Sequence, residues 1–176
     1  MSHILLLAAV IVTNITPTLG RIGANYFDAL KQSQVWINVE PQNLEPGPNP
    51  IELNITISFT GHRLAGPPAA VDLRVSAYCR VFPTRIRQPV LTLMIDGAEF
   101  RLGKPALPLQ VISTCGSDGG AADAIVARIP FATFHRIAAA ADIEMHALGF
   151  DVRLKPSDRQ ALQSFVTAVA SGVTVR

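Results

Sequence analysis

Residues 51–60 read Ile-Glu-Leu-Asn-Ile-Thr-Ile-Ser-Phe-Thr. Every odd position is apolar and every even position polar or charged, which is the two-residue period of a strand with one face in a core and one toward water. Working outward, the same alternation returns on both sides. Val35, Ile37 and Val39 alternate with Trp36, Asn38 and Glu40. Val71, Leu73, Val75, Ala77, Cys79 and Val81 alternate with Asp72, Arg74, Ser76, Tyr78 and Arg80. Loops separate these runs. The stretch 41–50 carries four prolines in ten residues, and 61–70 is also rich in Gly and Pro. Neither composition sustains a ladder or a helix.

Two hairpins can be read with their register. Asp96-Gly97 is a favoured two-residue turn, and it sets Ile95 against Ala98, Leu93 against Phe100 and Leu91 against Leu102. Leu148-Gly149 sets Ala147 against Phe150, Met145 against Val152 and Ile143 against Leu154. A slip of one residue would turn either apolar face to water. In the second hairpin the other face places Glu144 opposite Arg153 and His146 opposite Asp151, complementary charges across a ladder. Leu107–Cys115 and Ala122–Ile129 read as two further strands joined by a Gly-rich loop. Helical spacing predicts helices over Phe131–Ala141 and Ser157–Ser171, the latter opened by a Ser157/Gln160 capping box after Pro156. A short helix over Asn25–Gln34, with Tyr26, Phe27 and Leu30 on one side, is also expected. The fold class is therefore mainly β with two or three helices (α+β), an antiparallel β-sandwich with a helix-hairpin-helix C-terminal segment packed on it.

Residues 1–20 contain no Lys, Arg, Asp or Glu, and Ile4–Val12 is an unbroken apolar run. Nine residues suit the core of a signal peptide and fall short of the about 20 needed to span a bilayer. Thr18 and Gly20 supply small residues before a cut after Gly20. The expected organisation is a signal peptide over 1–20, an N-terminal segment over 21–34 and a single domain over 35–176. The expected location is periplasmic or secreted. If uncleaved, the N-terminal segment is the expected contact with a membrane. In that compartment Cys79 and Cys115, both on the apolar parity of their strands, are expected to form a disulfide. A net charge of +2 on 176 residues gives no electrostatic footprint for nucleic acid.

The tail from Phe131 to Val166 has an Ala-rich helix running into a short strand, the Leu148-Gly149 turn, the strand Phe150–Leu154 and the Ala161-Leu162 pair. In these features it resembles the C-terminal ends of uncharacterised exported bacterial β-sandwich proteins. The resemblance covers the last third of the chain. It rests on packing residues, so it implies the fold and no activity.

No motif nominates a reaction. Ser117 follows Gly116 directly and lacks the spacing of a nucleophile elbow. The loop around it has no Lys for a phosphate loop and only Asp118 and Asp123 as calcium ligands. His3, His62, His135 and His146 show no metal-ligand spacing, so no metal or cofactor is expected. The candidate binding surface is Trp36, on the polar parity of its strand, with Arg74 and Arg80, near Arg85 and Arg87. The expected function is an exported non-catalytic module, with a ligand- or partner-binding or structural role in the cell envelope. Its partner would be a small ligand or another envelope protein. The alternative is a small secreted hydrolase with a site built by loops 41–50, 61–70 and 115–121 and using His62 or Asp118. A histidine held between a carboxylate and a hydroxyl would favour that alternative, and His146 beside Asp151 is the pair to inspect.

Overall fold

A computed structural model describes residues 22–46, 51–78, 91–102, 108–113 and 122–176. The chain forms mainly antiparallel sheets with two helices. In order the strands are β1 (Ile22–Phe27), β2 (Gln32–Val39), β3 (Gln42–Asn43), β4 (Ile51–Thr60), β5 (Arg63–Leu64), β6 (Ala70–Tyr78), β7 (Leu91–Ile95), β8 (Ala98–Leu102), β9 (Leu109–Ser113) and β10 (Ala122–Pro130). Helix α1 (Phe131–Ala139), strands β11 (Ile143–Ala147) and β12 (Phe150–Arg153), helix α2 (Pro156–Ala170) and strand β13 (Val173–Thr174) follow.

Among the described residues three sheets result. The largest has the order β1-β2-β4-β6-β10-β9, the second β3-β12-β11-β7-β8, and a small one pairs β13 with β5. Along β2 and β4 the odd-numbered residues Ser33 to Val39 and Ile51 to Ile57 are buried and the alternate ones half-buried, with Phe59 half-buried and Thr60 exposed at the end of β4. Period-two patterning thus becomes one core face and one wetter face. The buried faces of both large sheets and the apolar stripes of both helices contribute to one continuous core. The helices meet there through Phe134 and Phe165, both fully buried, with ring centroids 6.2 Å apart in an edge-on arrangement. Helix α1 also packs on β6 and β10, and α2 on β2.

Both two-residue hairpins have the register expected from their turns: Leu91 faces Leu102 across Asp96-Gly97, and Met145 faces Val152 across Leu148-Gly149. All four turn residues have positive φ, the type I′ geometry whose twist matches the strands.

Three expectations need correction. The helix over Asn25–Gln34 is instead the strand β1, one 3-10 turn at Asp28–Leu30 and the start of β2. Tyr26 pairs with Ser33 and Asn25 with Gln34 across a hairpin. Pairing with β2, itself paired with the core strand β4, decides the conformation over the helical spacing. Helix α2 begins one residue early, with Pro156 in its first turn, where a missing N–H costs nothing. Its cap is not Ser157 with Gln160: the carboxylate of Asp158, fully buried, accepts the Lys155 N–H at 3.2 Å, and the Asp158 N–H donates to the Lys155 carbonyl at 3.0 Å. Helix α1 ends at Ala139, because Ala140 is extended with ψ 147°.

Cys79, Arg80, Arg85, Arg87, Cys115, Ser117 and Asp118 lie outside the described residues. The strands leading to the cysteines, β6 and β9, flank β10 in one sheet. Level positions on them are two strand spacings, about 9.5 Å, apart. The expected Cys79–Cys115 bond lies outside the described residues as well. No helix among the described residues is long and apolar enough to cross a membrane.

Candidate ligand cleft

The end of the β7–β8 hairpin stands beside α1, and Asp96 holds the two together. With its φ of 50°, Asp96 turns its carboxylate Oδ1 to accept the Ala141 and Asp142 N–H groups at 2.9 and 2.8 Å. Its own N–H donates to the Asp142 carbonyl at 3.0 Å. The tip of one sheet is thereby tied to the chain leaving α1. Between them lies a cleft of about 460 Å³, a size suited to small-molecule ligands.

The cleft has two chemical parts. Ile95 and Phe100 are half-buried, Ile137 and Ala140 buried, and these make its apolar lining. On the α1 side His135 and Arg136 are exposed, and on the β8 side Glu99 is exposed. Helix periodicity explains this division. Phe131, Phe134, Ile137 and Ala138 face the core, which leaves His135 and Arg136 on the flank. Among the described residues the side chains of His135, Arg136 and Glu99 make no hydrogen bond or ion pair. The cleft can therefore take an apolar group and a charged one together. No hydrogen bond joins His135 to Thr133, the hydroxyl of the lining.

The other described histidines are engaged elsewhere. His62 Nδ1 lies 2.9 Å from the Val175 carbonyl oxygen, and its ring stacks on Tyr26 with centroids 3.7 Å apart. The Val175 N–H returns a 2.8 Å bond to the His62 carbonyl, so His62 pins the C-terminus to the loop after β4. His146 Nδ1 is 2.7 Å from Asp151 Oδ1, as the hairpin register requires. Thr92 is its register neighbour on β7, with no hydrogen bond to the ring among the described residues. The side chains of His146 and Asp151 are 49% and 56% exposed. Next to them Arg153 bonds Glu144 and lies 3.6 Å from Asp142. The hydrogen bond to Glu144 and the two carboxylate charges hold the Arg153 guanidinium above its ordinary pKa.

Trp36 and Arg74 share the outer face of the large sheet but not one spot. One row across the strands reads Gly23, Trp36, Thr56, Asp72, Arg128, and the next reads Asn38, Asn54, Arg74. Trp36 and Arg74 are thus separated by β4 and by one register step. The Trp36 indole lies over Gly23, where an added Cβ would collide with its Cε2 and Cζ2. Arg74 Nε donates to Ser76 Oγ at 3.1 Å. Between them Asn54 donates to Asn38, and Thr56 Oγ1 donates to Asn54 Oδ1 at 2.7 Å. Reasoning from sequence missed the cleft altogether. Its charged residues sit on two elements some 35 residues apart, and the one local signal, the Asp96-Gly97 turn, marks a hairpin and not a site.

No family model, curated protein or solved structure matches this chain.

Proposed function

We propose that the protein is an exported, non-catalytic module that binds a ligand in the cleft between the β7–β8 hairpin and α1. In this proposal the two large sheets form a sandwich and the helix-hairpin-helix tail packs on it. One observation carries the functional reading. The cleft joins an apolar lining to His135, Arg136 and Glu99, whose side chains have no partner among the described residues, whereas the rings of His62 and His146 are already engaged with Val175 and Asp151. The ligand class that fits is amphipathic, with an anionic group for Arg136 and His135.

Titration with 1-anilinonaphthalene-8-sulfonate, an aromatic sulfonate of that kind, tests it. Saturable fluorescence enhancement is expected. Arg136→Glu should weaken it about tenfold, since a hydrogen bond to a charged group contributes about 1.5 kcal/mol or more. Filling the cleft by Ala98→Trp should abolish it. Binding that neither substitution alters would remove the cleft as the site. The export part of the proposal rests on the apolar run Ile4–Val12 and places the mature start near Arg21. Mass measurement of protein recovered from the envelope checks this, and an intact Met1 would refute cleavage. In the same sample, alkylation without reductant is expected to leave Cys79 and Cys115 unmodified.

A further inference from the structure

We infer that the cleft takes an extended peptide, which adds to the free edge of β8 as a further strand and directs an acidic side chain at His135 and Arg136. The inference rests on the cleft reading and names its ligand. Strand β8 is the last in its sheet, pairing only with β7 among the described residues. The two-residue turn fixes which backbone groups it has left over. Ile95 and Ala98 flank that turn and form a hydrogen-bonded pair, so Phe100 and Leu102 also bond inward to β7. The N–H and C=O groups of Glu99 and Arg101 therefore point away from β7, toward the open edge.

The cleft borders this strand. It is lined by Ile95, Ala98 and Phe100, which share one face of the hairpin, and by Glu99 of the edge strand beside them. An added strand would place its inward side chains between Phe100 and α1, beside Ile137 and Arg136. Its outward side chains would lie beside Glu99 and Arg101. Charges on an edge discourage indiscriminate pairing and here specify the partner: a cation opposite Glu99, an anion opposite Arg101. Alternate-residue recognition with main-chain bonds is the mode of peptide binding by strand addition.

Read antiparallel to β8 from Arg101 to Ala98, these demands spell a probe, acetyl-Glu-Val-Lys-Glu-Val-amide. Its second Glu would face Arg136. Amide shifts of isotope-labelled full-length protein are expected to move at Glu99 and Arg101 on titration. N-methylation of the probe's first Glu and its Lys, whose N–H groups would meet β8, should weaken binding at least tenfold. The charge-reversed peptide acetyl-Lys-Val-Glu-Lys-Val-amide should bind at least tenfold more weakly as well. Arg101→Pro removes an outward N–H while leaving the β7–β8 ladder. It should abolish peptide binding and leave the naphthalene sulfonate titration unchanged. Equal binding of the N-methylated or charge-reversed peptide overturns the inference. So does a protein that binds the sulfonate and not the peptide, and there the cleft reading survives. If neither probe binds, the cleft reading falls and the inference with it.

Discussion

Gly23 stands where the sheet needs a residue without a side chain, because the Trp36 indole occupies that space. An aromatic ring laid across an edge glycine covers backbone that would otherwise be open. Gly23→Ala would force the ring away, and overpacking of this kind costs about 1–3 kcal/mol. Trp36 is the sole tryptophan, so its emission reports the change directly: a red shift is expected alongside a lower denaturation midpoint, and unchanged emission would refute the packing. Asp96 shows the opposite balance of legibility. Its place in a turn is plain from the Asp-Gly dipeptide, but its two bonds to Ala141 and Asp142 depend on a segment 45 residues away. Asp96→Ala removes the acceptor of two exposed N–H groups, which water can then serve, and is expected to destabilise by about 1 kcal/mol in urea unfolding. Asp96→Asn, which keeps an oxygen and tolerates positive φ, should recover most of that loss.

At the level of elements, local chemistry and tertiary packing disagree most at Leu148. A leucine at φ 57° carries a left-handed penalty of about 1–2 kcal/mol, yet the side chain is 7% exposed and belongs to the core. Burying a leucine contributes about 1.5–3 kcal/mol, so burial outweighs the strain. Leu148→Gly is then expected to cost about 1 kcal/mol, against about 2–5 kcal/mol for Leu162→Ala in the buried stripe of α2. Thermal melts of the two variants compare them, and an equal loss would show that the turn holds no strain. The β11–β12 hairpin carries its His146–Asp151 pair on an exposed face, where such pairs contribute less than about 1 kcal/mol. His146→Ala should therefore shift the melt little, and a loss of several kcal/mol would contradict a surface role. In the N-terminal element Tyr26, Phe27 and Leu30 sit at a spacing compatible with a helix. The register with β2 instead packs Ile22 and Tyr26, half-buried, against the core and leaves Phe27 and Leu30 exposed.

Across the whole molecule, the sequence by itself determined strands β2, β4 and β6 to β12 and the registers of both two-residue hairpins. The reason is geometric. Side chains alternate at a period of two, and a two-residue turn ties residue to residue, so apolar matching across the turn admits one alignment. Core membership follows as well, since Ile51, Leu53, Ile55 and Ile57 are buried at the positions their alternation marks. Only the tertiary structure decided the strand order β1-β2-β4-β6-β10-β9, the conversion of the expected N-terminal helix into an edge strand, and the cap of α2 on Asp158. The candidate cleft belongs to this second group. It arises where residues 95–100 meet residues 133–140, and no local pattern encodes that meeting. Periodicity states which face of an element turns inward; it does not state which other element it will find there.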